Sequence, residues 1–448
     1  MTNTLYLPEI REMLANNDKA GLEEFCTALH PGRTTEFMEG LTADEIWRVL
    51  QHTDAVNRAE IFRYFDEEKQ VELIESQDRD EIAQLIGDLK PDDRVDLLED
   101  VDSAAVDQLL PLVPDEERRD ILRLRAYPED TAGAVMTTEF ARLSETLNAD
   151  EALREIGRQA ENLETIYYLY IVDDEDHLRG LVSARQLVSA IGRSDQTVGD
   201  MMERDLVTAD VFEDQEEVAA KVARYNLLAI PVVDAEHRML GMVTHDDIID
   251  VVREEATEDA HRIAAVDPLE DGYLQTSLWT LTWKRGIWLT VLFFAALLTA
   301  VALEQYESIR DALPWLAIFI PLVISSGGNT GSQSATLIIT ALSTGDVHLR
   351  DWSQIVLREA MMGLFLGGFL AAIGYVMASI MLGDSRLAAV VPITLVLVVL
   401  CGTLTGSILP LLFKRMGLDP AIMSNPFVAG IIDIVGIVIY MNVALWLL

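Results

Sequence analysis

The chain has 448 residues, half of them hydrophobic, and its formal net charge is −40. A charge of this sign repels nucleic acid and attracts cations, which argues against a nucleic-acid partner. The two cysteines, Cys26 and Cys401, belong to no metal-spacing motif, which argues against a disulfide framework or a zinc site.

The charge is distributed very unevenly along the chain. The segment from Trp283 to Leu448 contains nine acidic and eight basic residues, so nearly all of the net charge lies on the first 282 residues. The segment Met1–Asn17 mixes charged and apolar residues and lacks the apolar core of a signal peptide. We therefore expect the acidic part to stay in the cytoplasm.

Residues 1–127 carry an internal repeat of short helical segments. Similar segments begin at Leu41, Phe65, Leu89 and Leu112, at spacings of 24, 24 and 23 residues. Two helices of about ten residues in each repeat predict a small stack of the α-solenoid kind. The sequence thus predicts an acidic, α-helical N-terminal superhelix.

The following residues alternate short β-branched runs with helical segments, and the pattern occurs twice. Pro231–Asp234 repeats the pattern of Tyr170–Asp173, and Gly241–Thr244 repeats that of Gly180–Ser183. A helical segment follows both Gly180–Ser183 and Gly241–Thr244. This repetition predicts two β-α-β modules.

The repeated pattern resembles a pair of cystathionine-β-synthase (CBS) modules, at residues 128–192 and 193–252. The resemblance implies an adenine-nucleotide site, such as one for ATP, formed by a Ser or Thr and an Asp after the last strand of a module. Thr244 and Asp247 match these positions in the second module, whereas the first module has Ser183 followed by Gln186. The resemblance therefore implies at most one nucleotide site.

Residues 253–282 form a connecting segment whose first half is helical by composition. Glu254, Glu255, Glu258 and Asp259 lie within two helical turns, where like charges repel unless cations or basic partners are close. The segment is interpreted either as a cation-sensitive element or as a helix that only spaces two domains.

Residues 283–448 contain five apolar stretches, of which the first can extend into Trp279–Arg285. Each reaches the roughly 20 residues that cross a hydrocarbon core. The distribution of lysine and arginine between their ends places the N-terminus in the cytoplasm and the C-terminus outside. The stretches are Ile287–Leu303, Leu313–Leu342, Ile355–Leu382, Leu387–Leu412 and Ile422–Leu448.

The second stretch contains an unusual polar run, Ser325–Thr336, rich in glycine and hydroxyl side chains. At membrane depth such a run would leave backbone groups unsatisfied in lipid, so we expect it to lie against protein or a water-filled path. It is no phosphate-binding loop, because the lysine of that motif is absent. Backbone carbonyls with the side chains of Asn329 and Gln333 suit a hydrated hard cation.

The last stretch carries a single formal charge between Pro420 and the C-terminus, the carboxylate of Asp433. A carboxylate near the centre of a membrane helix costs about 3 kcal/mol by insertion scales, so it usually faces a partner or water. Ala429, Gly430 and Gly436 lie one turn away and leave room beside it. The residue is interpreted as a cation or proton site, with a buried acid satisfied by a neighbouring helix as the alternative.

The order of these parts resembles the MgtE family of magnesium channels, as do two segments, Pro321–Thr336 and Asp419–Asp433. The resemblance implies a homodimer in the membrane lipid with one pore, in which Asp433 of each subunit faces the ion. It further implies that the connecting helix acts as a plug, held closed by Mg²⁺ bound between acidic domains. The implied pore residues are Asp433, Asn425, Ala429, Gly328 and Asn329, and the implied sensor residues are Asp92, Asp96, Asp214, Glu216, Asp246, Asp250, Glu255, Glu258 and Asp259.

The expected function is that of a Mg²⁺-selective uptake channel in the inner (plasma) membrane, gated by cytosolic Mg²⁺. One alternative is an ion-coupled divalent-cation exchanger in which Asp433 or Glu359 carries a proton or sodium. Another is a membrane-anchored nucleotide sensor or enzyme. No His/Cys cluster, nucleophile elbow or phosphate-cradling lysine supports an enzyme.

Overall fold

The computed structural model describes residues 5–160, 163–192, 196–269 and 272–448. The chain forms two compact units, the N-terminal unit Met1–Val252 and the C-terminal unit Arg253–Leu448.

The N-terminal unit begins with a stack of short helices. The helices are Leu7–Asn16 (α1), Lys19–Ala28 (α2), Pro31–Met38 (α3), Ala43–Leu50 (α4), Ala55–Phe62 (α5), Glu67–Ser76 (α6), Arg79–Asp88 (α7), Pro91–Asp100 (α8), Ser103–Leu109 (α9) and Asp115–Leu124 (α10). From α3 onward each helix packs against the helix two places later, so odd and even helices form two layers. This arrangement confirms the predicted superhelix, with α4, α6, α8 and α10 opening successive repeats.

Aspartates at the helix starts define these short helices. Asp54, Asp66, Asp78 and Asp102 each accept a hydrogen bond from a backbone N–H in the first turn of the following helix. Pro91 occupies the first turn of α8, where its missing N–H costs nothing. The acidic repeat residues are thus partly structural.

Two β-α-β modules follow, and they have the same topology. Each sheet has three strands, with the first two parallel and the last two antiparallel, and each has an irregularity near the end of its middle strand. The first module contains Arg142–Leu143 (β1), Ala149–Gln159 (α11), Tyr168–Val172 (β2), Leu178–Ser183 (β3) and Ala184–Ser189 (α12). The second contains Val198–Met201 (α13), Ala209–Asp210 (β4), Gln215–Tyr225 (α14), Ala229–Val233 (β5) and Met239–Thr244 (β6), followed by the helix His245–Ile263 (α15).

The modules exchange their leading segments. Thr137, ahead of the first sheet, pairs with Met242 of β6, and Glu203, ahead of the second sheet, pairs with Leu181 of β3. Gly241 makes room for this crossing, because a Cβ there would lie 2.6 Å from the carbonyl oxygen of Thr137. The two modules are therefore built as one interlocked pair.

The C-terminal unit is helical. It contains Leu278–Glu304 (α16), Glu307–Ala312 (α17), Leu316–Ser343 (α18), Trp352–Leu382 (α19), Ser385–Ala388 (α20), Val390–Arg415 (α21) and Asn425–Leu447 (α22), with 3₁₀ turns at Leu349–Asp351 and Pro420–Ile422. In its core α21 packs against α18, α19 and α22, whereas α16 packs mainly against α22. Four segments of the described chain are long and apolar enough to cross a membrane: Leu278–Glu304, Leu349–Leu382, Ser385–Arg415 and Asn425–Leu447.

The remaining predicted span corresponds to α18, which contains the polar run. The polar run Ser325–Thr336 is part of one continuous helix of 28 residues. Some of its hydroxyls donate back along the helix, as Thr330 Oγ1 does to the carbonyl oxygen of Ser326 at 2.6 Å, whereas Ser332 and Ser334 donate to neighbouring helices. The polar run is thus part of the helix without a break.

The connecting segment 253–282 is helical in its first part, as its composition predicts. The helix α15 ends at Ile263, and α16 begins at Leu278. Ala265 follows the end of α15 with a positive φ of 59°, a left-handed conformation that terminates a helix.

Four glycines allow α18 and α21 to cross at close range. Gly327 and Gly331 on α18 face Gly402 and Gly406 on α21, a spacing of four residues on each helix. A Cβ on Gly406 would lie 2.1 Å from the carbonyl oxygen of Gly331. The two backbones are therefore in direct contact, which is the usual role of small residues spaced by four in membrane helices.

We expect Gly406→Ala to destabilise the C-terminal unit by about 1–3 kcal/mol, because the added methyl forces the helices apart. Thermal unfolding of the detergent-solubilised protein measures this. Gly368→Ala on α19 is the control, since a Cβ there meets nothing within 4 Å. Equal unfolding temperatures for the two variants would contradict the close crossing.

Candidate functional site: a membrane carboxylate and an acidic interface

Asp433 lies on α22 against the backbone of α18. A Cβ built on Gly328 would lie 3.5 Å from Asp433 Oδ1 and 3.4 Å from the Cβ of Ala429. The glycine therefore lets α18 approach the carboxylate closely. Asp433 is half-buried, and within the described residues its carboxylate forms no hydrogen bond or ion pair.

The start of α22 is bound to the polar run of α18. Ser332 Oγ donates to the carbonyl oxygen of Asn425 at 3.1 Å, and Thr336 Oγ1 donates to Asn425 Oδ1 at 3.1 Å. Asn425 and Asp433 are eight residues apart on one helix, so they lie on similar faces about 12 Å apart along its axis. The sequence analysis named Asn425, but the hydroxyls that hold it were identified only from the structure.

The exposed face of α18 is polar in its middle. Ser325, Asn329 and Gln333 are exposed at successive i, i+4 positions. Asn329 Nδ2 donates to Ser325 Oγ at 3.2 Å, which keeps the amide on that face. Amides and hydroxyls on the outer face of a membrane helix require a partner other than lipid.

Glu359 on α19 lies away from this face. Its carboxylate accepts a hydrogen bond from the buried Ser334 Oγ at 2.6 Å, which links α19 to α18. This contact gives Glu359 a structural role between helices.

In the N-terminal unit, α8 brings two acids against the start of α15. Burial and the nearby charge of Asp247 hold the pKa of Asp92 well above its usual range. The pKa of Asp93 is raised by burial, against the opposing effect of Arg63. One oxygen of each carboxylate, Asp92 Oδ1 and Asp93 Oδ2, is buried without a hydrogen-bond partner. The contact thus places negative charges together in a poorly solvated space.

Glu139 and Glu164 belong to the same interface. Burial raises the pKa of Glu139 to about 7, although Arg94 lies 3.7 Å from its carboxylate and lowers it. Burial likewise raises the pKa of Glu164, even though Lys90 is paired with it. We call the group of Asp92, Asp93, Glu139, Glu164 and Asp247 the acidic interface.

Apolar contacts fix this arrangement. Val95 of α8 and Leu124 of α10 belong to the same buried cluster as Ile248 and Val251 of α15. The final helices of the superhelix are therefore packed directly on the second module, and this packing is what forces the acids together.

The other predicted sensor residues have varied surroundings. Asp214 caps α14 by accepting a hydrogen bond from the N–H of Glu216. Asp96 and Asp250 are exposed, and Asp246 accepts from Thr244 Oγ1 at 2.6 Å. Within the described ranges, no three Asp, Glu, His or Cys side chains lie close enough together to hold a metal ion directly.

The proposed nucleotide pair is engaged within its own module. Asp247 Oδ2 accepts a hydrogen bond from the N–H of Thr244 at 3.1 Å, and the single Thr244 hydroxyl lies within hydrogen-bond distance of both Asp246 and Asp247. In the first module the N–H and the hydroxyl of Ser183 donate to Gln186 in the same way. Asp247 thus contacts Thr244 as well as the acidic interface.

The acids of the connecting helix differ in their contacts. Glu258 pairs with Arg262 one turn later, and Asp259 accepts a hydrogen bond from Ser343 Oγ at 2.9 Å. Glu255 is half-buried. Glu258 and Asp259 are thus held by contacts within the C-terminal unit.

Sequence reasoning did not identify Asp93, Glu139 or Glu164 as members of the site. Glu139 and Glu164 lie outside any motif, in the first module just before β1 and between α11 and β2. They join the acidic interface only through the packing of α8 on the modules. No local signal in the sequence distinguishes them from the many exposed acids.

Three family descriptions match the chain. "MgtE intracellular N domain" covers residues 29–130, "CBS domain" covers 132–193 and 198–254, and "Divalent cation transporter" covers 320–443. The magnesium transporter MgtE of Thermus thermophilus is 36% identical over 444 residues, 98% of each chain. The corresponding Enterococcus faecalis protein is 34% identical over 73% of this chain and 72% of its own.

Two solved structures resemble the N-terminal part of the fold. The soluble part of a magnesium transporter has 32% identity and a TM-score of 0.53, covering 56% of this chain and 97% of its own. The cytosolic domain of the Mg²⁺ channel MgtE in complex with ATP has 32% identity and a TM-score of 0.51, covering 54% and 98%.

The raised pKa of Glu139 makes stability depend on pH. The folded state holds this proton up to about pH 7, whereas the unfolded chain releases it near the usual 4.5. The free energy of unfolding should therefore fall as pH rises between these values. We expect Glu139→Gln to be more stable than the parent protein at about pH 8 and similar to it near pH 4.5.

Thermal unfolding of the purified protein across this pH range tests the expectation. Glu236→Gln, an exposed acid of the second module, is the control and should leave the pH dependence unchanged. A Glu139→Gln variant with the parent pH dependence would show that burial of this carboxylate has no energetic consequence.

Proposed function

Because this chain belongs to the MgtE family of magnesium transporters, and not to an enzyme family, we propose that it is a Mg²⁺-selective uptake channel gated by cytosolic Mg²⁺. We further propose that it lies in the inner (plasma) membrane, with the N-terminus in the cytoplasm and the C-terminus outside.

The observation that carries the proposal is the unpaired carboxylate of Asp433. It lies opposite Gly328, with Ala429 beside it and Asn425 two turns earlier on the same helix. Mg²⁺ gives up its water reluctantly, so a site that contacts the bound waters avoids the cost of full dehydration. A carboxylate with adjacent small residues provides charge and space for a hydrated ion.

A second copy of the chain would complete the pore. One Asp433 supplies a single negative charge, whereas two would neutralise a divalent cation. The exposed polar face of α18, with Ser325, Asn329 and Gln333, gives further support, because it needs water or protein opposite it. A homodimer with the pore between its membrane units meets both requirements.

We expect Asp433→Asn to abolish Mg²⁺ flux into vesicles that contain the purified protein, because the change removes the charge at almost constant volume. Asp311→Asn, an exposed acid of the same unit, should retain parental flux. Normal flux through the Asp433→Asn variant would exclude this site. Flux that required a proton or sodium gradient would favour the exchanger over the channel.

For gating, the acidic interface offers a physical mechanism. Its carboxylates repel one another when charged, so the packed state of α8 on the second module is disfavoured unless protons or cations are present. Cytosolic Mg²⁺ would favour that state by binding, through its waters, only when the acids are together. The connecting helix α15 begins at this interface and would carry the change toward the pore.

We expect the double variant Asp92→Asn, Asp247→Asn to weaken the dependence of flux on internal Mg²⁺ by about fivefold or more, because both repulsion and attraction for Mg²⁺ are removed. Flux is measured at a series of internal Mg²⁺ concentrations. The double variant Asp174→Asn, Glu236→Gln, which changes exposed acids of the modules, is the matched control. A parental Mg²⁺ dependence in the interface variant would exclude the acidic interface as the sensor.

Nucleotide binding is a further part of the proposal. A structural relative was solved with ATP, and Thr244 and Asp247 lie directly after the last strand of the second module. Because Asp247 also belongs to the acidic interface, a nucleotide bound there would change the electrostatic interactions among its carboxylates.

A further inference from the structure

Arg262 joins the end of the connecting helix to the loop that precedes α22. One nitrogen of its guanidinium pairs with Glu258 on the same helix, and another pairs with Asp419. The Arg262 and Asp419 side chains are 35% and 29% exposed, so the pair is partly shielded from water. A planar guanidinium suits such a bridge between two carboxylates, whereas an ammonium group acts as a single point charge.

Other contacts hold the same end of α15 in place. Asp259 accepts a hydrogen bond from Ser343 Oγ at the end of α18, at 2.9 Å. The side chain of Ile263 packs against a buried apolar cluster that includes residues of both α18 and α22. The cluster comprises Ala335, Ile339, Ala421 and Val428.

Asp419 connects this docked end to the residues of the pore. Its Oδ1 accepts a hydrogen bond from the N–H of Ala421 at 2.8 Å and caps the 3₁₀ turn Pro420–Ile422. Asn425 opens α22 directly after this turn and is bonded to Ser332 of α18. Any displacement of Asp419 therefore acts on the backbone that positions Asn425.

Without Arg262, the contact between the end of α15 and the loop before α22 would bring carboxylates together with no positive charge between them. Burial raises the pKa of Asp259, and the charge of Asp419 raises it further, whereas Arg262 lowers it. Glu258 and Asp259 on the helix thus approach a third acid in the loop. Arginine is permanently charged, so its compensation does not depend on pH or on free Mg²⁺.

We propose that Arg262 acts as a permanent cation in the closed channel and holds the end of α15 to Asp419. This ion pair lowers the internal Mg²⁺ concentration that is needed for closure. The inference rests on the proposed gated transport. It assigns part of the closing energy to a fixed ion pair within the C-terminal unit, in addition to Mg²⁺ at the acidic interface. A partly exposed pair of about 1 kcal/mol corresponds to a shift of about fivefold in that concentration.

The test compares Arg262→Gln, Asp419→Asn and the double variant with the parent protein in vesicles and in detergent. Asn at 419 retains an oxygen that can cap the 3₁₀ turn, so it removes mainly the charge. Two quantities are measured: the internal Mg²⁺ concentration that half-inhibits flux, and the hydrogen–deuterium exchange of residues 253–263. Arg415→Gln, an exposed arginine at the end of α21, is the matched control.

Each single variant should raise the half-inhibiting Mg²⁺ concentration by roughly fivefold and accelerate exchange in residues 253–263. The double variant should add little to either single change, because the pair is already broken. Arg262→Lys should fall between the parent and Arg262→Gln, since lysine keeps the charge but cannot bridge both acids in the same way. The control should behave as the parent.

Parental values for Arg262→Gln in both measurements would overturn this proposal, and so would effects of the two single changes that simply add. If the parent protein carries no Mg²⁺, the proposed function fails, and the exchange data alone then decide whether the pair holds the helix. If Arg262→Gln does not fold, Arg262→Lys and Asp419→Asn supply the same comparison.

Discussion

A carboxylate within a membrane helix requires space and polar surroundings, and this requirement organises the C-terminal unit. Gly328 provides the space beside Asp433, while Gly327 and Gly331 on the same helix permit contact with α21. One short segment of α18 therefore meets two neighbours through its bare backbone. Its hydroxyls and Asn329 supply the polar groups. The glycines that make this run unusual in sequence therefore allow α18 to pack closely against α21 and against α22 beside Asp433.

Charge is managed differently at the two ends of α15. At its start, Asp247 joins acids whose repulsion is only partly balanced by Lys90 and Arg94. At its end, the guanidinium of Arg262 pairs with both Glu258 and Asp419. The helix α15 thus begins at the acidic interface, where an added cation would offset the remaining repulsion. It ends at a contact in which Arg262 itself is the cation. In the gating proposed above, such an arrangement would make closure responsive to Mg²⁺ without making it depend on Mg²⁺ alone.

Much of the fold follows from repetition and polarity in the sequence. The repeat spacing near 24 residues predicts the helix pairs, and aspartates cap several of these helices. Asp433 is conspicuous because no other charged side chain follows Pro420. The acidic interface was only partly predicted, since Glu139 and Glu164 reach it through tertiary packing. Composition alone does not show how the hydroxyls of Ser325–Thr336 are satisfied, because some donate to carbonyls one turn earlier and others to neighbouring helices.

The exchanged segments of the two modules have a consequence for how this protein can be divided. Thr137 belongs by sequence to one module and by pairing to the other, and Glu203 does the reverse. A cut in the linker between the modules would leave each half without the segment that pairs with the edge strand of its sheet, and with an unpaired segment of its own. Such halves would tend to recombine with each other or with a second copy. The duplicated pattern is therefore an indivisible domain, even though its sequence reads as two.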